Sequence, residues 1–185
     1  AIIIRGVFTM TKAELDWVYT RQGAAKFLPQ SWQNFESIIP VSERCDLISA
    51  YNKRLFGSSP SEQAQYAMAW TVWENSIASF QSFGKSLSPS IEYAKAFARL
   101  ENHYFINEGF LEKDGQIMHD LHLIKHIPAT IIQGRFDMIC PPETAEKVHS
   151  ALPNSRLRIV RDAGHAMSEP GISSELISAT NDLKD

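Results

Sequence analysis

Apolar positions along this chain keep two different rhythms. Ile2, Ile3 and Ile4, followed by Arg5-Gly6-Val7-Phe8, form a β-branched run of the kind a buried parallel strand shows. From residue 9 to about residue 121 the spacing is helical. Lys12 to Arg21 reads as a first helix ending near Gly23, and Gln30 to Ile38 as a second lying between Pro29 and Pro40. Ser42 is a candidate cap for a third helix, which would run to about Phe56 and close at Gly57. Ser59-Pro60-Ser61-Glu62 combines a capping serine, a proline at the first helical position and a capping-box glutamate, so a long helix to about Phe80 is predicted. Gly84 through Pro89 reads as a loop, and Ser90 to about Asn107 as a helix stopped by Gly109. After Ile127 the period changes. Pro128 to Gly134 is a short apolar strand, Pro142 to Leu152 a helix, Arg156 to Arg161 a strand, and Ser173 to Leu183 a final helix.

Strand, helix, strand, helix predicts a parallel α/β sheet. The predicted organisation is a core strand at residues 1–8, an all-helical insertion at 9–121, and the remainder of the sheet domain at 122–185. The chain opens directly on its first strand, and a buried parallel strand needs neighbours on both sides. A segment upstream is therefore expected, and an apolar edge left without it could pair with a second copy of the chain.

Composition narrows the classes of function. With 44% hydrophobic residues the 185-residue chain can bury an ordinary core. Eighteen Lys and Arg against 21 Asp and Glu leave a net charge of −3, so there is no basic field to attract nucleic acid. No apolar run approaches the ~20 residues that cross a bilayer, and the first residues lack the charged start and cleavage site of a signal peptide. Neither membrane nor nucleic acid is an expected partner. The two cysteines, Cys45 and Cys140, are too few for a disulfide framework, which makes a reducing, cytoplasmic compartment the default.

Two motifs carry candidate chemistry. Gly134-Arg135-Phe136-Asp137 sets an acid just past a predicted strand, and Asp162-Ala163-Gly164-His165 sets a histidine just past the next. Ligands of open α/β sheets bind at that edge. Alone, such an Asp is commonly a helix cap and such a His merely solvated. Together they keep the chain order of the acid and base in a Ser, Asp, His triad. The nucleophile elbow Gly-x-Ser-x-Gly is absent from the sequence. Its nearest imitation, Gly84-Lys85-Ser86-Leu87-Ser88, lacks the last glycine and falls between helices.

In Gln65 to Glu74, in Ala98 to Phe105, in Gly134 to Asp137 with Cys140-Pro141-Pro142, and in Gly164-His165, the chain resembles the proline iminopeptidases (prolyl aminopeptidases) of the α/β-hydrolase superfamily. The similarity runs over nearly the whole chain and matches the C-terminal part of that family: a core strand, the helical cap and the end of the hydrolase domain. Phe136 stands where Tyr is common, and Ala166 follows the histidine where Ser is common. The resemblance implies a serine exopeptidase that removes an N-terminal proline. Its catalytic acid and base would be Asp137 and His165, its cap glutamates Glu74 and Glu101 would hold the substrate's amine, and it would need no metal or other cofactor. Its serine would lie upstream, in the missing N-terminal half, so the chain alone would be inactive.

Helical spacing bears on the glutamates independently. Glu74 would share a face with Trp70, Ile77 and Ala78, and Glu101 with Phe97, Tyr104 and Phe105. Carboxylates so surrounded would be protonated, paired within the protein, or available to a cation. His119, His122 and His126 are spaced to line a helical turn, yet no acid or cysteine completes a metal-binding spacing. Cys140 reads as a small packed residue near the mouth of the site, where a bulky thiol reagent could block it. Trp17, Trp32, Trp70 and Trp73 read as core of the insertion. Two other readings stay open: an esterase or related hydrolase whose cap takes an uncharged acyl group, and a non-catalytic interaction module.

Overall fold

A computed structural model describes residues 1–81 and 88–183 of the chain, so the expected loop at Gly84 to Pro89 lies, apart from Ser88 and Pro89, outside the described residues. In chain order the elements are β1 (Ile2–Arg5), α1 (Lys12–Tyr19), α2 (Pro29–Ser37), α3 (Leu47–Leu55), α4 (Pro60–Ala78), α5 (Ile91–Ile106), α6 (Gln116–Asp120), β2 (Ala129–Gly134), α7 (Pro142–Ala151), β3 (Ser155–Val160) and α8 (Pro170–Asn181). They form two compact units. One combines Ala1–Glu14, a stretch beginning at Ile77, and Lys113–Asp185; the other holds Leu15–Ser76 and a stretch ending at Glu112.

The first unit carries a three-stranded parallel sheet in the order β1-β2-β3. Ile2 stands opposite Ala129, and Ala129 opposite Ser155, so the three strands start level. Alternation then sorts their side chains onto two faces. Ile2, Ile4, Ala129, Ile131 and Leu157 pack with Ala145, Val148 and Leu152 of the α7 region, whereas Ile3, Ile132 and Val160 pack with Ile172, Leu176 and Ala179 of α8. Ile131 and Ile132 are fully buried because the central strand is covered on both sides. Among the described residues β1 pairs with β2 alone, which leaves β1 at an edge.

Helix starts follow local side-chain chemistry. At α1, Thr11 and Glu14 make a reciprocal capping box: the Glu14 amide donates to Thr11 Oγ1 at 3.3 Å and the Thr11 amide donates to Glu14 Oε2 at 2.9 Å. The α3 start corrects the expectation of a Ser42 cap. Asp46 is the cap, accepting from the Ser49 amide at 3.0 Å, and Val41–Glu43 forms a separate 3-10 turn. Asp46 prevails because the Glu43 carboxylate is taken by Lys53 and Arg54, which folds the preceding turn back onto α3. Before α4, Ser59 accepts from the Glu62 amide at 3.3 Å, and before α5, Ser90 accepts from the Tyr93 amide at 3.2 Å.

The second unit is helical around an aromatic core. Phe35 stacks on Tyr51 with ring centres 4.6 Å apart, Trp32 meets Trp73 edge-on at 5.2 Å, and Tyr19 stacks on Trp70 at 4.6 Å. Two of these rings have their polar ends satisfied inside, Tyr51 donating to the Phe35 carbonyl and Trp73 to the Val18 carbonyl, whereas the buried Trp32 indole nitrogen finds no acceptor among the described residues. Asn102, fully buried, accepts from Asn52 and donates to the Ile48 carbonyl, which ties α5 to α3. Trp17 is the exception among the four tryptophans, half-buried against Phe27.

Glu14 is buried, and its carboxylate also accepts from the Thr9 amide and hydroxyl and from Thr144 on α7. Glu14→Ala strips the acceptor from these donors together. It is expected to destabilise the fold by about 2–3 kcal/mol, read as a lowered denaturant midpoint.

Candidate active site

Both motifs sit where the sheet topology puts them, just beyond the C-terminal ends of neighbouring parallel strands. The turn after β2 and the turn after β3 come together through backbone: the Arg135 amide donates to the Val160 carbonyl at 2.8 Å and the Phe136 amide to the Ala163 carbonyl at 2.9 Å. Gly134 and Gly164 allow this approach, since a Cβ on Gly134 would overlap the Gly164 carbonyl oxygen. The result joins Asp137 to His165: imidazole Nδ1 lies 2.9 Å from Asp137 Oδ2.

Asp137 is buried and saturated with donors. Its Oδ1 accepts from the amides of Ile139 at 3.0 Å and Cys140 at 2.8 Å, and its Oδ2 accepts from Gln133 Nε2 at 2.9 Å as well as facing the histidine. The carboxylate is thereby held in one orientation, and with the Nδ1 proton directed at it, Nε2 becomes the basic nitrogen. His165 is gripped through its backbone. Its amide and that of Ala166 donate to the Ala78 carbonyl at 2.7 and 2.8 Å, and the Arg5 guanidinium donates to the His165 carbonyl. Glu169, also buried, accepts from the Gly164 amide and from Ser79 Oγ at 2.6 Å, so the loop before the histidine is fixed at both ends.

Glu74 and Glu101 lie in the helical unit, on α4 and α5. Glu74 is 4% exposed and Glu101 is half-buried; the Tyr19 phenol donates to Glu74 Oε1, and the Trp70 indole donates to Glu101 Oε2 at 2.9 Å. Tyr19 and Trp70 are stacked on each other, so their two acceptors are neighbours. Loss of hydration and the proximity of Glu74 push the Glu101 carboxyl up to about 9, against a small opposing effect of the indole donor. Phe105 adds a third wall, with ring centres 5.6 Å from Tyr19 and 6.2 Å from Trp70. Tyr104, expected on the same face as Glu101, is instead 45% exposed and meets Phe110 edge-on. The arrangement is a pair of acids in an aromatic wall, suited to an organic cation.

Residues 3–171 match the family described as alpha/beta hydrolase fold. The chain belongs to this family. Among curated relatives, the chain is 41% identical to the proline iminopeptidase of Arabidopsis thaliana over 186 residues, covering 99% of this chain and 49% of that protein. It is 42% identical over 187 residues to the probable proline iminopeptidase of Leptolyngbya boryana, and 38% identical over 183 to the proline iminopeptidase of Xanthomonas citri, which it covers to 56% and 58%. The chain thus spans about half the length of the curated relatives it matches.

Of the remaining candidates, His119 and His122 are engaged locally. α6 stops at Asp120, His119 Nδ1 faces Asp120, and His122 Nδ1 faces the His119 carbonyl. Among the described residues, no cluster of three or more His, Cys, Asp or Glu is placed to hold a metal ion. Cys140 is buried, and it touches the acid through its backbone amide. Among the described residues, no helix is long and apolar enough to cross a membrane.

Gly6 adopts φ +56°, and a Cβ there would stand 2.8 Å from His165 Cε1 and 3.0 Å from Nδ1. Gly6→Ala is expected to cost about 1–2 kcal/mol from backbone strain and to displace the imidazole from Asp137. Loss of the His165 Nδ1 proton signal in an NMR spectrum, with a modestly lowered melting temperature, is the expected result.

Proposed function

We propose that this chain carries the amine-recognition and acid–base parts of a serine aminopeptidase that releases N-terminal proline from peptides. The observation that carries the reading is the pair of neighbouring carboxylates, Glu74 and Glu101, set in aromatic walls and met by a phenol and an indole. A protonated secondary amine is a fitting counter-ion for such a pair, and the flat faces of Tyr19, Trp70 and Phe105 suit a pyrrolidine ring. The names of the relatives agree with this substrate class. Fixing the amine limits how far a peptide enters, which accounts for removal of one residue at a time.

In this reading Asp137 and His165 are the catalytic acid and base. The serine comes from a segment that this chain does not contain. His165 Nε2 takes the serine proton as the hydroxyl attacks the first peptide carbonyl, Asp137 stabilises the imidazolium, and the proton passes to the leaving amine. Water then hydrolyses the prolyl ester by the same base. Cys45 and Cys140 are not joined in a disulfide, which fits a cytoplasmic setting. Without a serine nucleophile the isolated chain is expected to leave prolyl amides intact.

In a full-length enzyme bearing these residues, Glu74→Gln and Glu101→Gln are each expected to lower kcat/KM for prolyl amides about 10- to 100-fold, the worth of one charge-assisted hydrogen bond. Activity untouched by either change would point to a cap for uncharged acyl groups. The raised Glu101 carboxyl adds a test on the chain itself. Its folded state holds a proton that the unfolded state gives up above the usual carboxylate range. Stability should therefore fall as pH rises from about 4.5 to about 9, and this slope should flatten in Glu101→Gln, as read from denaturant midpoints across that window.

A further inference from the structure

Gln133, on the central strand, is fully buried, and its side chain touches three different parts of the sheet unit. Its Oε1 accepts from the Val7 amide at 3.2 Å, while Nε2 donates to Asp137 Oδ2 and to the Cys140 carbonyl, each at 2.9 Å. This pattern fixes which end of the amide is which, because a backbone N–H requires the oxygen and two acceptors require the NH2 group. Both protons of the amide are committed. One goes to the same carboxylate oxygen that faces His165 Nδ1.

We propose that Gln133 is a positioning residue for the catalytic pair: its amide holds Asp137 Oδ2 on the line to His165 and locks the acid's loop to β1. The inference rests on the acid–base roles assigned above. The carboxylate's other oxygen is anchored by the Ile139 and Cys140 amides, so Oδ2 is the end that can swing. Without Gln133, His165 would be the one group restraining that end among the described residues, and a histidine that must hold its own partner cannot be oriented by it. The link to Val7 extends the constraint to the turn where Gly6 packs against the imidazole and Arg5 holds the His165 carbonyl. The acid and the base are thus referenced to the same strand end.

Gln133→Glu separates the two jobs of the side chain. The introduced carboxylate still accepts from the Val7 amide. When ionised it has nothing to donate to Asp137 and repels it. Gln133→Met keeps the bulk and removes all three hydrogen bonds. The experiment is NMR of the 185-residue chain labelled with 15N-histidine, with the His165 signal assigned by His165→Gln, recorded from pH 5 to pH 9 alongside thermal melts.

The expected result is a His165 Nδ1 proton signal in the unaltered chain that is lost at every pH in Gln133→Met. In Gln133→Glu it should be lost progressively as pH rises and regained on acidification. A signal retained in both folded variants overturns the proposal. So does loss in Gln133→Met with full retention in Gln133→Glu across the range, which would assign the side chain to the Val7 tie alone. Should Gln133→Glu fail to fold, retention or loss in Gln133→Met decides. If the unaltered chain itself lacks the signal, the acid–base reading falls, and this proposal falls with it.

Discussion

A carboxylate taken out of water must be given hydrogen bonds, a counter-charge or a proton, and this constraint organises both units of the chain. Buried acids occur in each, and each receives one of those remedies. Glu14 is surrounded by the amides and hydroxyls of Thr9 and Thr11 and by the Thr144 hydroxyl. Glu169 takes the Gly164 amide and the Ser79 hydroxyl. Glu36 is paired with Arg21, which holds its carboxyl below the usual carboxylate range. Asp137 takes two amides, one side-chain amide and an imidazole. Glu101 stands apart from them: among the described residues it accepts from one indole, and it relieves the remaining cost by keeping its proton.

The sheet supplies a different kind of constraint, a geometrical one. Parallel strands that start level also end level, so turns leaving β2 and β3 emerge side by side. Close approach then depends on Gly134 and Gly164, and the acid and base meet across the gap at hydrogen-bond distance. β1 takes part through its last residue and its exit turn. Arg5, Gly6 and Val7 contact the histidine carbonyl, the imidazole and the Gln133 side chain in succession. Three consecutive residues thereby fix the base and the support of the acid at once, Val7 through its backbone amide while its side chain lies in the core.

Much of this was legible in the sequence because it is local. Strand and helix periods located β2, α7, β3 and α8, and the order of Asp137 and His165 followed from where strands end. The Ser59 and Ser90 caps were visible because capping chemistry spans only three or four residues. The α3 start was misread for a physical reason that is not local: Lys53 and Arg54 draw Glu43 back onto the helix, and Asp46 rather than Ser42 becomes the cap. Long-range partners were invisible altogether. Tyr19 reaches Glu74 across 55 residues, and Val7 reaches Gln133 across 126. Gln133 itself was hidden inside an apolar run, where its polarity is the signal that periodicity counts as noise. Helical spacing placed both Tyr104 and Phe105 with Glu101, and of the two it is Phe105 that closes on Tyr19 and Trp70.

The contrast between the two sets of acids bears on what each is for. Asp137 has its hydrogen bonds complete within the chain, which in the proposed reading suits a group that stays put while charge develops on its neighbour. Reorganising it during a reaction would cost several donors at once. Glu101 has the opposite character: one neutral donor, an acidic neighbour and a proton it retains near neutrality. Such a group responds to the arrival of positive charge, because a cation lowers the cost of ionising it, which its indole donor offsets only in part. In the proposed reading, binding an amine would therefore displace a proton from the acid pair, and selectivity for a charged terminus would come from relieving a cost already present in the folded chain. The preorganised acid and the adaptable one are the same functional group. What separates them is the number of donors each finds when water is removed.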